Sequence, residues 1–216
     1  MLFQPIDTSR LRLLGAFFAL PVITVLLWTE SIVKSVSWGI FAGVVLFSLV
    51  GKSPLWRWLW EKIPWFEPNV FPDLNGTWKA ELQSNRPIVD ARTQAVDAEP
   101  DKKKAVQATV RIHMDWLKLT VLLDTDDAYS SSETVSCSLL KRGKGRFELY
   151  YTYKNSTLNP QDSDESEHWG SARLTYEHNA GPGRTMSGAY WTNRGWQKGL
   201  NTAGTIRMTR QAPNSD

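Results

Sequence analysis

The chain has a single cysteine, Cys137, in 216 residues. That excludes a disulfide framework, and a lone thiol fits a reducing compartment. Histidine is almost as scarce: His113, His168 and His178 are the only three, and their spacing matches no metal-ligand pattern. Charge of one sign is lacking too. Twenty-five basic residues against 22 acidic ones leave a net +3, too little to argue for DNA or RNA as a partner. There is no P-loop, no nucleophile elbow, no HExxH and no CxxC. Asp126 and Asp127 lie in a polar stretch beside Ser130 and read as a solvated turn. An enzyme is therefore the reading with least support. No catalytic residue is assigned, and no metal or cofactor is called for.

What the sequence does contain begins with two apolar stretches. Residues 13–29 (LLGAFFALPVITVLLWT) and 35–51 (SVSWGIFAGVVLFSLVG) each run seventeen residues without a charge. A membrane-crossing helix needs about 20 mostly apolar residues, with a lower limit of about 17. Leu11, Ile32 and Val33 can lengthen the first. The link between the two leaves room only for a tight reversal, so the pattern predicts a transmembrane helical hairpin in the lipid bilayer, with spans at about 11–33 and 35–51. The alternative is two buried core helices of a soluble domain. A signal peptide is disfavoured, because no small-x-small site ends the apolar region and a second stretch follows at once. Arg10 and Arg12 precede the first span, and Lys52, Arg57 and Lys62 follow the second. By the positive-inside rule both termini are cytoplasmic.

Ser35, Gly39 and Gly43 recur at four-residue spacing. Such a ridge lets another helix backbone approach closely: either Gly15 and Ala19 of the first span, or a second copy of the chain. Residues 52–65 (KSPLWRWLWEKIPW) alternate Trp and Leu with charge, as an interfacial segment does. Residues 1–66 thus form the membrane hairpin with its border, and Pro64, Pro68 and Pro72 predict a stiff linker over 67–74.

From Gly76 the hydrophobic period becomes two, the signature of half-buried strands. Eight runs show it, at 76–84, 105–115, 117–124, 133–141, 145–155, 168–177, 184–194 and 202–210. Leu117, Leu119, Val121 and Leu123 share a face in the third, and Val135, Cys137 and Leu139 share one in the fourth. Eight antiparallel strands with one apolar face most simply close into an up-and-down barrel, here over 75–210 with a tail at 211–216. A two-sheet sandwich is the runner-up. An outer-membrane barrel is disfavoured because the outward faces carry Lys, Glu, Arg and Asp.

In up-and-down order the connections at the end where the first strand begins are short, and those at the other end are long. Long loops on a rigid scaffold are where binding concentrates. Inward positions read Trp78, Phe147, Leu174 and Met186 at the short-loop end, an apolar plug. At the long-loop end they turn polar: Ser84, Tyr153, Asn155, His168, Thr192 and Arg194, with Tyr190 just below and Asn85 and Arg86 beyond the first strand. Gly170, Ala172 and Gly188 are expected to leave space. Arg86 and Arg194 could hold phosphate, Tyr153 and Tyr190 could stack on a base, and Asn155, Thr192 and His168 could hydrogen-bond. The alternative is a closed lid in which Arg194 and His168 pair with Asp162, Asp164 or Glu165.

The segments DLNGTWKAELQSN (73–85), YTYKN (151–155), HWGSARL (168–174) and GAYWTNRGWQKG (188–199) carry a family likeness. Together with two short spans they resemble the two-span, β-strand-rich effectors of bacterial cyclic-oligonucleotide anti-phage systems (CBASS). The resemblance implies a cyclic di- or oligonucleotide ligand supplied by a partner cyclic-nucleotide synthase on infection. It further implies homo-oligomerisation through the spans, disruption of the bacterial inner membrane, and a multi-pass protein there. The NGTW strand is also similar to the Gly-x-Trp start of lipocalin-like barrels. That leaves two alternatives open: a membrane-tethered carrier of an apolar ligand, and a protein-interaction module with a filled barrel.

Overall fold

A computed structural model describes residues 15, 19, 21, 23, 32–52, 54–86, 88–89, 104–126, 129–160, 165–178 and 184–212. Most of the first apolar stretch lies outside these residues, as do Asp162, Asp164 and the side chain of Ser35. The chain divides into two compact units. One is the strand-rich part, and the other comprises the helices together with Asp115–Lys118.

The strands follow from the alternation. They are β1 (Gly76–Ser84), β2 (Lys104–Met114), β3 (Leu119–Thr125), β4 (Ser130–Gly143), β5 (Arg146–Thr157), β6 (Glu167–Glu177), β7 (Thr185–Thr192) and β8 (Ala203–Arg210). Each pairs antiparallel with the next, and β8 returns to β1, closing an eight-stranded barrel. Closure matters physically because it leaves no edge strand to aggregate. Inside, Trp78, Phe147, Leu149, Leu174, Met186 and Met208 are each no more than 1 % exposed. The Trp78 indole N–H, which burial would otherwise orphan, donates to the Leu74 carbonyl at 3.1 Å.

Two inward positions differ from the period-two expectation. Leu117 is 54 % exposed rather than facing in. It sits in a turn where the Asp115 carboxylate accepts from the backbone N–H of Leu117 (2.7 Å) and Lys118 (2.6 Å). Val135 is 38 % exposed. The β4–β5 register passes from Thr134↔Tyr153 to Ser136↔Thr152, leaving Val135 as an extra residue in a β-bulge. The bulge switches the inward phase of β4 from Ser130, Ser132 and Thr134 to Cys137 and Leu139. Between β3 and β4 the ladder is short, pairing only Leu122, Leu123 and Asp124. Beyond it, side chains satisfy the backbone. Thr134 Oγ1 donates to the Val121 carbonyl (2.7 Å) and accepts from its N–H (2.9 Å), and Cys137 Sγ donates to the Leu119 carbonyl.

The outer face of β4–β6 carries a buried carboxylate, Glu148. It accepts hydrogen bonds from the Tyr150 hydroxyl (2.7 Å), Arg173 Nη2 (2.7 Å) and Arg142 Nε (2.8 Å). These three donors, Tyr150 foremost, lower its pKa to about 2.

The helical unit contains α1 (Ile32–Lys52), α2 (Leu55–Lys62) and α3 (Phe66–Asn69). Among the described residues no single helix is long and apolar enough to cross a membrane. Ser37–Gly51 and Leu55–Lys62, bent by 79°, pass that test as a pair. Along α1 Gly39 and Gly43 are buried, while Trp38, Phe41, Val44 and Leu49 are exposed. Residues 67–74 lead into β1. A helical turn occupies their start, and Val70 and Phe71 are buried. Trp60 explains this: its ring stacks on Phe66 at 4.6 Å, and its indole N–H donates to the Phe71 carbonyl at 2.7 Å. An aromatic contact of this kind contributes about 1 kcal/mol beyond area burial, in addition to the burial of Val70 and Phe71.

Candidate ligand site at the open end of the barrel

The short connections gather at the end where β1 begins, and the long ones at the other, where the barrel opens in a cavity of about 150 Å³. Its floor is apolar, made by Leu82, Val106, Leu123 and Ile206. Above the floor the register sets the side chains in two rows. The lower places Thr134, Tyr153, Gly170 and Thr192 side by side, and the upper Ser132, Asn155 and His168.

Two glycines expected to open space are used differently. A Cβ at Gly170 would overlap the end of the Tyr153 ring, lying 2.6 Å from its Cε2. Gly170 therefore lets that ring lie flat against the barrel wall. A Cβ at Gly188 would overlap the Arg173 carbonyl and stand 2.9 Å from Leu174 Cα, so this glycine permits close strand approach at a barrel corner. Gly204 does both. Its Cβ would overlap the Gln83 carbonyl and lie 3.0 Å from Tyr190 Cε1.

Burial raises the pKa of Tyr153, reinforced by the neighbouring Tyr151 and Tyr190 phenols. Burial likewise raises Tyr151, and it raises Tyr190 against the opposing effect of a hydrogen bond with Ser84. All three stay neutral phenols near pH 7, able to donate a hydrogen bond or offer a ring face. Thr192 Oγ1 and Thr202 Oγ1 lie 2.8 Å apart and tie the end of β7 to β8. Just past β7, Arg194 is 3 % exposed and still lines the cavity, because Asn193 N–H donates to the Trp169 carbonyl and prolongs the ladder. Arg86, on the connection after β1, donates its backbone N–H to Ser84 Oγ (3.1 Å) and sets its guanidinium 5.6 Å from the Tyr129 ring centre. The described lining includes no Asp or Glu. Guanidinium, imidazole, phenol and hydroxyl groups around an apolar floor suit an anionic ligand that also carries a flat ring.

A family profile described as "Cap15, cyclic dinucleotide receptor domain" matches residues 69–210, the entire barrel. The chain belongs to the Cap15 family. It is also similar to the Escherichia albertii protein named CD-NTase-associated protein 15, 28% identical over 182 residues, 84% of this chain and 83% of that one. Cap15 membership agrees with the CBASS effector resemblance, and no catalytic family is indicated.

Of the residues expected at the site, Ser84, Arg86, Tyr153, Asn155, His168, Tyr190, Thr192 and Arg194 all line the cavity. Asn85 does not. Its Oδ1 accepts from Ala203 N–H at 2.8 Å and its N–H donates to the Ala203 carbonyl at 3.0 Å, a strand clamp between β1 and β8. The sequence reading missed Tyr151, Tyr129, Ser130, Ser132, Thr125 and Thr202, which also line it. Ser130 and Ser132 had a signal available: with Thr134 they alternate at period two, extending β4 backward through what read as a loop.

Proposed function

We propose that this protein is a membrane-anchored effector of bacterial anti-phage defence whose barrel binds a cyclic dinucleotide. The observation that carries the reading is the convergence of Arg86 and Arg194 with the rings of Tyr153 and Tyr190 around one cavity, inside the segment that matches a cyclic dinucleotide receptor domain. In this reading the two guanidiniums meet phosphates, bidentate geometry favouring arginine over lysine. The two tyrosine rings stack, and Asn155, His168 and Thr192 hydrogen-bond. The relative's name, CD-NTase-associated, supports a cyclic-nucleotide synthase as functional partner. The charge-free stretches at 13–29 and 35–51, with basic residues before the first and after the second, support a two-span hairpin in the inner membrane with both termini cytoplasmic. In this reading Ser35, Gly39 and Gly43 serve homo-oligomerisation when ligand binds, by exchanging the packing that buries both glycines within one chain for packing against a second copy, and membrane disruption is the output. A ligand can shift the balance between dispersed and assembled states only by its differential affinity for them.

The test is thermal unfolding of the full chain in detergent micelles against a panel of cyclic di- and trinucleotides. Ligand at 100 times its dissociation constant adds about 2.7 kcal/mol, a rise of roughly 5–10 °C for a chain of this size. The expected result is a rise with one nucleotide that Arg194→Ala abolishes while the variant still melts cooperatively. No rise with any nucleotide, or an undiminished rise in the variant, overturns the assignment. A rise with a fatty acid alone would favour the apolar carrier.

A further inference from the structure

The charge of the barrel is sorted by end. At the open end the connections 126–129 and 158–166 bring five carboxylates and no base. The opposite end, where β1 begins, is basic from the end of β4 round to the end of β8. Three cations there continue the inward register of the apolar plug. Lys141 lies two residues after Leu139, Arg184 two before Met186, and Arg210 two after Met208. Each is half-buried, the state of a long side chain whose stem covers apolar surface while its charged head stays in water. Arg210 stands where the chain enters the barrel: a Cβ on Gly76 would lie 3.2 Å from its Nε. Three more cations, Arg142, Lys144 and Arg146, are exposed at the β4–β5 turn.

Backbone hydrogen bonds join these positions into one rim. His178 N–H donates to the Gly145 carbonyl (2.7 Å), and Arg210 N–H donates to the Arg184 carbonyl (2.9 Å). Residues 179–183 carry no charge. The acids on this rim are already engaged. Glu148 accepts from Tyr150, Arg142 and Arg173, and Glu177 lies 3.4 Å from Arg146. Cations spread along a rim, rather than converging on a pocket, suit an extended anionic surface better than a single bound anion. The chain also reaches this rim from its apolar stretches: Gly76 follows Gly51, the end of the second stretch, by 25 residues.

Resting on the reading of the protein as anchored in the inner membrane, we propose that this basic rim docks on the headgroups of anionic lipids in the cytoplasmic leaflet. Attraction to such a surface acts within a Debye length, about 10 Å at 0.1 M salt, so the rim must lie against the headgroups. The acidic connections are repelled by the same surface. The docked barrel therefore holds its cavity toward the cytosol, where a soluble ligand arrives.

The experiment places a fluorophore on the full chain, reconstituted in vesicles that carry a headgroup-linked nitroxide quencher. One probe site is Gly143→Cys, where a Cβ meets nothing within 4 Å, and the other is Gln197→Cys at the open end; the native Cys137 is buried. The vesicles are phosphatidylcholine alone or with one third phosphatidylglycerol. Quenching at Gly143→Cys should be stronger in the phosphatidylglycerol vesicles, and about 1 M salt, where the Debye length is about 3 Å, should reverse the increase. Gln197→Cys should stay unquenched in both. Replacing Lys144 and Arg146 with Gln should lower the ratio of docked to undocked barrel roughly 25-fold, about fivefold for each cation, without changing the melting temperature by more than a loosely held surface pair does. Equal quenching of Gly143→Cys in the two vesicle types, equal quenching at both probe sites, or an undiminished effect in the Gln variant would overturn the docking surface and leave the membrane anchor standing. A chain that floats with neither vesicle type would refute the membrane reading itself.

Discussion

Gly170 and Gly188 face neighbouring strands, yet the same substitution should act on them in different ways. At Gly170 an added Cβ meets the far end of a side chain, the Tyr153 ring. The ring can swing aside, and the open space next to it is the cavity of about 150 Å³. Gly170→Ala should therefore displace Tyr153 into the site. The cost is that of overpacking, about 1–3 kcal/mol, or a fall in melting temperature of roughly 2–12 °C for a chain of this size. Nucleotide binding should be lost although the barrel still folds. At Gly188 the Cβ overlaps the Arg173 carbonyl and crowds Leu174 Cα. No rotamer relieves a clash with the backbone of the paired strand, so β6 and β7 must separate. Gly188→Ala should cost more than about 4 kcal/mol, the range reached only by a few disruptive mechanisms. The assay is tryptophan-monitored melting of the full chain in micelles with nucleotide titration alongside. A double-mutant cycle with Tyr153→Ala tests the cause: Gly170→Ala should cost little once the ring is gone, a coupling of about 0.5–3 kcal/mol. A Gly188→Ala protein that melts like wild type would refute the reasoning, as would a Gly170→Ala protein that binds normally or costs the same with and without Tyr153.

Acid should weaken the barrel through Glu148. Its folded pKa of about 2 lies below the ordinary value of 4.5, so its contribution is fully present above about pH 4.5 and is lost as pH falls through about 2. Glu148→Gln should flatten the acid limb of the stability–pH curve, and an unchanged limb would assign acid sensitivity elsewhere. In membranes, Gly39→Leu or Gly43→Leu should block ligand-induced cross-linking between copies while leaving nucleotide affinity intact; undiminished cross-linking would count against the small-residue ridge as the assembly face.

The barrel is legible because most strands keep an apolar residue at alternate positions, from Trp78 and Ala80 in β1 to Ile206 and Met208 in β8. Loop lengths then identify the open end, and the polar inward residues at that end line its cavity. Legibility failed where a local device broke the period. One unpaired residue, Val135, re-phases half of β4, and nothing in TVSCS marks it, since a β-branched residue suits a bulge and a strand equally. Asn85 directly follows the inward Ser84, but its side chain serves the β1–β8 seam. Tyr151 shares the inward face with Tyr153 and lines the cavity too, which the alternation by itself does not indicate. Whether an inward tyrosine plugs a barrel or lines a cavity depends on how neighbouring rings tilt, and that is set by Gly170 and Gly204 on other strands.

The position of the charged residues constrains how binding can be transmitted. The strands close on themselves around a plug of Trp78, Phe147, Leu174 and Met186, and a close-packed interior is not continuously deformable. Binding that left the rim alone would change nothing a second molecule could detect. Arg86, Tyr129 and Arg194, however, stand on three separate connections, after β1, between β3 and β4, and between β7 and β8. A ligand held by all three fixes these connections relative to one another and becomes part of the rim itself. If ligand drives assembly, as proposed, the free-energy difference must arise there, from contacts that exist only when the ligand bridges the connections. On this logic, weakening the floor at Leu82 or Ile206 alters how tightly the ligand binds, whereas Arg86→Ala, by freeing one connection, reduces assembly more than it reduces occupancy of the barrel. Equal losses of both would place the signal inside the barrel and not at its rim.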